Sequence, residues 1–414
     1  MTGEALALVE SNTTGSGRLF CAAARAAGLW PVLLARDPAR YSYVALDGID
    51  SRVVDTADPA TVLEVCRGLG VPVTGVTSSS EYHVATAGEV ARALGRPHPD
   101  PDAVRACRDK RRQRTRLAEA GVPCPGFAAA RTPAEAVAAA GRIGMPVVVK
   151  PVAGSGSIGV RRCATAAEVD AAARYVLEAD PAALALPAQD AVLVEEYLAG
   201  PEFSVETFDD RVVGVTGKHL GPEPWFVETG HDFPARLDRA AADAVGGTAV
   251  AALRALGLGW GAAHVEVRAT ASGPRIVEVN PRLAGGMIPR MVTEALGVDL
   301  IALQVARAAG RPAVPAPTRT VAASIRFLVA VTEGRLEEVV GLDAARAVPG
   351  VVEVGLTAEP GRDVVLRRSF QDRLAWVVAS AGDGSVAARA ADDGVRALEA
   401  RIAPASLVTE GSLG

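Results

Sequence analysis

Aromatic residues make up only 4% of this 414-residue chain. That scarcity argues against a protein that stacks single-stranded bases on aromatic side chains. Basic charge is not in excess either. Lys and Arg number 43 against 48 Asp and Glu, for a formal net charge of −5, so no overall field draws the chain to nucleic acid or to an anionic membrane. No stretch approaches the roughly 18 uninterrupted apolar residues of a membrane span. The opening MTGEALALVES has too short an apolar run and no basic flank, and so does not read as a signal peptide. The five cysteines (Cys21, Cys66, Cys107, Cys124 and Cys163) are odd in number, scattered, and form no CxxC pair. A zinc or disulfide framework is therefore not expected, and a reducing cytoplasm is the expected setting.

What is present is the balance of a globular chain, 49% hydrophobic and 22% charged. A chain this long is expected to divide into roughly two to four domains. ALALVE (5–10), WPVLLAR (30–36), SRVVD (51–55) and VPVTGV (71–76) read as strands, with helices near 59–69 and 82–95. That alternation predicts a parallel sheet with covered faces. The turn over residues 11–17 suits either phosphate binding at a helix start or plain tight-turn chemistry. Beyond it, a helix rich in Arg and Lys is predicted over 108–120, and one over 132–144 with a Thr132–Glu135 capping box. PVVVKP (146–151) reads as a buried strand, and AVLVEEYLAGPEFSVETF (191–208) as two strands around a hinge. A helix over 238–257 precedes a hairpin, AAHVEVRAT and PRIVEVNPRL, turning at Ser272-Gly273. Pro312, Pro315 and Pro317 mark a linker, after which short strands and a helix over 385–401 form a small α+β region.

Three constellations carry chemistry. GSGSIGV places Gly154, Ser155, Gly156, Ser157, Ile158 and Gly159 between two strand signals, where backbone N–H groups can approach phosphate oxygens. It lacks the Gly-Lys-Ser/Thr of a P-loop, and alone it reads better as a plain hairpin. Lys110 and Lys150 precede it, and a buried strand-end Lys without an anionic partner would be costly. VEEYLAGPE then supplies Glu195, a hinge at Glu196, Tyr197 and Leu198, and Glu202, in an order that suits an adenine edge and ribose hydroxyls. The strongest signal is HVEVR with VEVNPR. In a hairpin Glu266 and Glu278 share one sheet face and Asn280 joins them at i+2, a hard-oxygen set for Mg²⁺. Arg282 follows, suited to a carboxylate or to a transferring phosphoryl group.

In this order Lys110, Lys150, GSGSIGV, EEYLAGPE, Glu266 and EVNPR closely resemble the ATP-grasp superfamily of carboxylate–amine ligases, over essentially the whole chain. The resemblance implies an ATP-grasp fold of mixed α/β and α+β class. It implies a pre-ATP-grasp parallel α/β domain at 1–107, an ATP-grasp domain at 108–312 with a lid subdomain at about 125–198, and a small C-terminal α+β domain at 313–414. By the same likeness Lys110, Lys150, Lys218 and the glycine-rich loop contact ATP phosphates, while Glu195 and the hinge bind adenine and Glu202 the ribose. Glu266, Glu278 and Asn280 would hold magnesium, two ions with Mn²⁺ as a substitute. A narrower likeness, PWFVETGHDFPARL (224–237) and NPRLAGGMIPRM (280–291), is to L-amino-acid ligases, the dipeptide-forming branch. It puts Glu228, His231, Arg282, Gly285 and Gly286 at the amino-acid and acyl-phosphate pocket, with His231 or Glu228 as the expected base that deprotonates the amine. His231, read as lying on a loop between Glu228 and Asp232, is favoured over His219 and His264.

The implied partners are a small-molecule carboxylate and an amine, with a homodimer left open. Two rivals share the superfamily: a carboxylase that activates bicarbonate, of purine-pathway or biotin type, and a nucleotide-binding regulator without catalysis. An NAD(P) oxidoreductase is suggested only by the parallel sheet, a fold-level analogy.

Overall fold

A computed structural model describes residues 3–12, 16–180 and 187–404. Positions 13–15 of the first glycine-containing turn lie outside the described residues. Along the chain, β1 (Ala5–Val9), α1 (Ser16–Ala26), β2 (Trp30–Ala35), β3 (Asp50–Val53), α2 (Pro59–Arg67), β4 (Val73–Thr77) and α3 (Val84–Ala93) realise the expected alternation. The strands pair parallel in the order β3-β2-β1-β4.

The basic helix expected over 108–120 is α5 (Lys110–Glu119), and a separate helix, α4 (Pro101–Arg108), precedes it. Asp109 breaks the run because its side chain accepts the Arg111 and Arg112 N–H groups, the geometry of an N-cap. Lys110 therefore opens α5. Next come β5 (Phe127–Ala130), α6 (Pro133–Ile143), β6 (Val147–Pro151), β7 (Arg161–Cys163), α7 (Ala166–Glu178) and β8 (Val192–Glu196). Thr132 does cap α6, but Glu135 reaches back to the N–H of Arg131 rather than closing a box on Thr132. The reciprocal box forms instead at α7, between Thr165 and Glu168.

The chain continues through β9 (Glu202–Phe208), β10 (Arg211–Leu220), β11 (Glu228–Phe233), α8 (Arg239–Ala255), β12 (Ala262–Thr270), β13 (Gly273–Asn280), α9 (Ile288–Leu296) and α10 (Leu300–Ala308). Asp209 and Asp210, both at positive φ, turn β9 into β10 in the mirror-image manner that suits twisted hairpins. Last come β14 (Ala322–Val329), β15 (Gly334–Val340), β16 (Val351–Leu356), β17 (Asp363–Val364), β18 (Arg373–Ala381), α11 (Gly384–Arg396) and β19 (Glu399–Ala403). The helix expected to reach 401 stops at Arg396, because its last residues pair with β15 as a strand.

The chain divides into two compact units. One comprises Met1–Pro125, Leu198–Thr216 and Leu237–Arg319. Its parallel sheet packs α1 and α10 around Leu6, Leu33, Phe20 and Val305, and β13, β12, β9 and β10 are neighbours in that order. The other comprises Gly126–Tyr197, Gly217–Arg236 and Thr320–Gly414. It holds the antiparallel sheet β5-β8-β6-β7 under α6 and α7, and the strands β11, β14, β18 and β16, which are successive sheet neighbours. Among the described residues no helix is long and apolar enough to cross a membrane.

Candidate active site

In the first unit the polar face of β9, β12 and β13 is a ladder of charged residues. Successive strand residues point to opposite sides, so every second position shares a face. Glu266 is the direct partner of Glu278 on β13 and of Ser204 on β9, while His264 is opposite Asn280 and Glu206, and Arg268 opposite Glu202. Two carboxylates directly opposite each other repel unless a cation sits with them. Lys110 Nζ lies 3.1 Å from Glu278 Oε1, and His264 lies 3.3 Å from Glu266 and 3.1 Å from Glu206. Burial alone would lower the His264 pKa, but Glu206 and Glu266 push it up to about 9, so the ring is imidazolium at neutral pH.

The expected hard-oxygen set of Glu266, Glu278 and Asn280 thus does share a face. Among the described residues no group of three His, Cys, Asp or Glu side chains could hold a metal unaided. The two carboxylates and the amide that share the face suit Mg²⁺, which keeps one or two carboxylates and takes its remaining ligands from water and substrate phosphate. Glu202 Oε2 accepts from Arg268 at 3.0 Å, and the same guanidinium donates to the Leu198 carbonyl at 2.9 Å.

Arg282, just beyond β13, donates through Nε to Glu81 at 2.8 Å and through Nη1 to the Leu283 carbonyl. Arg108 donates to the Glu81 carbonyl at 2.7 Å and stacks over Tyr82. Burial would lower the Arg282 pKa, yet Glu81, Glu278 and Glu266 raise it further. Gly285 and Gly286 turn the chain from Arg282 into α9.

In the second unit Lys150 and Glu195 are buried together with Nζ 2.6 Å from Oε2. The pair arises diagonally across β6 and β8, where Lys150 is opposite Leu193 and Val148 opposite Glu195. Glu195 therefore meets a lysine first. The glycine-rich stretch Gly154 to Gly159 joins β6 to β7, its antiparallel partner. Gly156 has φ +71°, and a Cβ there would lie 2.3 Å from Phe370, whose ring packs with the buried Ile158. Ser157 shares the left-handed conformation. At the hinge the Glu196 N–H donates to the Gly126 carbonyl and the Tyr197 N–H to that of Pro146, while Leu198 begins the first unit's middle segment.

The ETGHDF segment is not a loop. Despite its glycine and its acids it is strand β11, paired with β10 on one side and β14 on the other. Gly230 fits there because a Cβ would meet the Ile325 carbonyl at 2.5 Å. Glu228 sits among three basic side chains: Lys218 Nζ at 2.8 Å, Arg373 Nη2 at 2.8 Å and His231 Nε2 at 3.4 Å. Burial would raise the Glu228 pKa, but Lys218, His231 and Arg373 hold it well below the usual carboxylate range. His231 is fully buried, edge-on to Phe327, and Arg373 stacks on the same ring at 3.9 Å. Two permanent cations around one carboxylate leave a surplus positive charge.

Several neighbours escaped the reading of the sequence. Glu206 was legible, since Glu202-x-Ser204-x-Glu206 alternates on one face. Glu81, Arg108 and Arg373 carry no local signal, lying far along the chain from the groups they touch.

Comparison with known proteins identifies two matching domains and several relatives. An ATP-grasp domain matches residues 143–290, and an L-amino acid ligase C-terminal domain 2 matches residues 326–403. The uncharacterized protein y4rH of Sinorhizobium fredii is 39% identical over 405 residues, covering 97% of this chain and 84% of that one. Carnosine synthase 1 of Gallus gallus is 30% identical over 326 residues, 72% of this chain but 35% of that protein, so the chain spans about a third of it. The crystal structure of an L-amino acid ligase from Bacillus licheniformis superposes with a TM-score of 0.78 at 20% identity, covering 97% of this chain and 99% of that one, a likeness of fold.

Proposed function

The chain belongs to the ATP-grasp superfamily of carboxylate–amine ligases, and on that premise we propose that it joins an amino acid, or an amino-acid-like acid, to an amine. A carboxylate oxygen attacks the γ-phosphorus of ATP, ADP leaves, and the resulting acyl phosphate is attacked by the amine, which expels phosphate and forms an amide. The observation that carries this reading is the Glu266–Glu278 pair, in direct register on one sheet face with Asn280 beside it and Lys110 against Glu278. A nucleotide-binding surface alone has no need of two opposed carboxylates.

Roles follow from the contacts. Glu266, Glu278 and Asn280 would hold magnesium, two ions with Mn²⁺ as a substitute, which would supply neutralising charge to the phosphates. Lys110, Lys150 and Lys218 would contact ATP oxygens, and Gly154, Ser155, Gly156, Ser157, Ile158 and Gly159 would cover them. Glu195 aligns Lys150 and so acts on the nucleotide through it. The hinge at Glu196, Tyr197 and Leu198 would take the adenine edge, and Glu202, oriented by Arg268, a ribose hydroxyl. Arg282, held by Glu81 and followed by the Gly285–Gly286 turn, would face the reacting acyl group. Glu228 organises Lys218, His231 and Arg373 into a pocket whose surplus positive charge suits an amino acid's carboxylate. With its pKa held low, Glu228 is a weak base and serves as an anchor.

The test is a phosphate-release screen with MgATP over amino acids singly and in pairs, with mass spectrometry of the products. Stimulation by a pair, with the matching amide mass, supports the reading. Phosphate release that depends on bicarbonate, or on no pair, overturns it.

A further inference from the structure

The other face of β11 carries a constellation for which the proposed reaction has no use. Lys218 and His231 are direct partners, and so are the flanking His219 and Gly230. His219 and Asp232 therefore project from the side of the sheet opposite Lys218 and His231. There His219 Nε2 lies 2.8 Å from Asp232, which also accepts from Arg326 at 2.9 Å. Arg326 is 8% exposed and donates through Nε to Asp392 of α11 at 2.6 Å. Its guanidinium is thus fixed between two carboxylates.

Around this buried arginine runs a groove of about 460 Å³ within the second unit, walled by His219, Arg236, Arg326, Ser385, Arg389 and Asp392. Lys218, Glu228, His231 and Arg373 take no part in its walls. The volume lies in the range of about 300–1,000 Å³ typical of small-molecule sites. Three guanidiniums against Asp232 and Asp392 leave a surplus positive charge. Arg236 approaches Asp232 only to 3.9 Å, and Arg389 donates to the neutral Ser385 hydroxyl at 3.3 Å. Both reach from exposed positions at the groove's margin; Arg236 keeps this long contact with Asp232, and Arg389 lies in the field of Asp383, the cap of α11, whereas Arg326 is held tightly by two carboxylates.

We propose that this groove is a second small-molecule site, which takes an anionic oxygen group, a carboxylate or a phosphate, between Arg236 and Arg389 over the fixed Arg326. Guanidinium groups suit such ligands because they present paired N–H donors to paired oxygens. The proposal does not rest on the reaction proposed above, although Phe327, which lines the groove, also touches His231 and Arg373.

Equilibrium dialysis of the full chain without ATP, using ³²P-orthophosphate and ¹⁴C-succinate separately, tests it. At least one of the two is expected to saturate a component that Arg236→Glu with Arg389→Glu weakens by roughly tenfold or more. That component is retained in Lys218→Met, which alters only the opposite face, and is only partly retained in Arg236→Lys with Arg389→Lys, where the charge stays and the paired N–H geometry is lost. Saturation by succinate alone assigns a carboxylate, and by phosphate alone a phosphate. Both altered arginines are exposed, so an unchanged circular dichroism spectrum and melting temperature accompany the loss. Absence of saturable binding up to about 10 mM of either ion overturns the proposal. So does binding lost in Lys218→Met but indifferent to the arginine changes.

Discussion

Glu266 and Glu278 stand directly opposite each other across β12 and β13, and Lys110 lies 3.1 Å from Glu278. Neutralising one carboxylate keeps the shape of the face and removes the charge that phosphate-bound metal needs. Glu278→Gln is therefore expected to fold normally and to lose ADP formation by at least about a hundredfold, the scale of removing one transition-state charge contact. A coupled ADP assay checks this, and near-wild-type turnover would refute the metal assignment.

The Glu228 cluster makes a separable prediction. Arg373→Met removes one of two cations from Glu228 while leaving the ladder on β9, β12 and β13 untouched. KM for the amino acid should rise by about tenfold or more, the size of a charge-assisted hydrogen bond, and KM for ATP should change little. Steady-state kinetics with each substrate varied in turn distinguishes this from a general loss of folding, which would lower kcat at all concentrations.

Asp232 gives a pH dependence of stability. Burial would raise its pKa, but the hydrogen bond from His219 and the charge of Arg326 bring it well below the ordinary carboxylate value. A depressed folded-state pKa contributes stability that is fully present above the unfolded pKa, about 3.9, and is lost as pH falls through the folded value. Asp232→Asn should cost roughly 1.5–3 kcal/mol at pH 7, and the gap from wild type should narrow below about pH 4. Paired thermal melts from pH 3 to 7 measure it, and a gap independent of pH would contradict the account.

The thiols provide a check on the packing. Burial pushes Cys21 and Cys163 up to about 11 and Cys66 and Cys107 up to about 12. A thiolate is the reactive form, so at pH 8 these four should react slowly and Cys124, of intermediate exposure, first. Titration with a thiol reagent should show one fast group in the native protein and five after denaturation.

How much of this was legible in the sequence depended on distance along the chain. The carboxylate ladder could be read because alternation in HVEVR and VEVNPR is local, and a two-residue hairpin turn, at Ala271-Ser272 one position before the expected Ser272-Gly273, fixes the register. The glycine-rich turn was equally visible. ETGHDF was misread as a loop because its strand character comes from its partners: β10 and β14 supply the hydrogen bonds that its own residue types do not announce. Arg282 and Glu81 are 201 residues apart, and Arg373 and Glu228 are 145 apart. No periodicity links such pairs, so their partnership belongs to the fold.

The central claim, activation of a carboxylate as an acyl phosphate, is tested most directly by isotope transfer. With the acid that stimulates turnover labelled with ¹⁸O in its carboxyl group, amide formation should deliver one labelled oxygen to each released phosphate, with ADP as the other product. Unlabelled phosphate, or AMP and pyrophosphate in place of ADP, would contradict it.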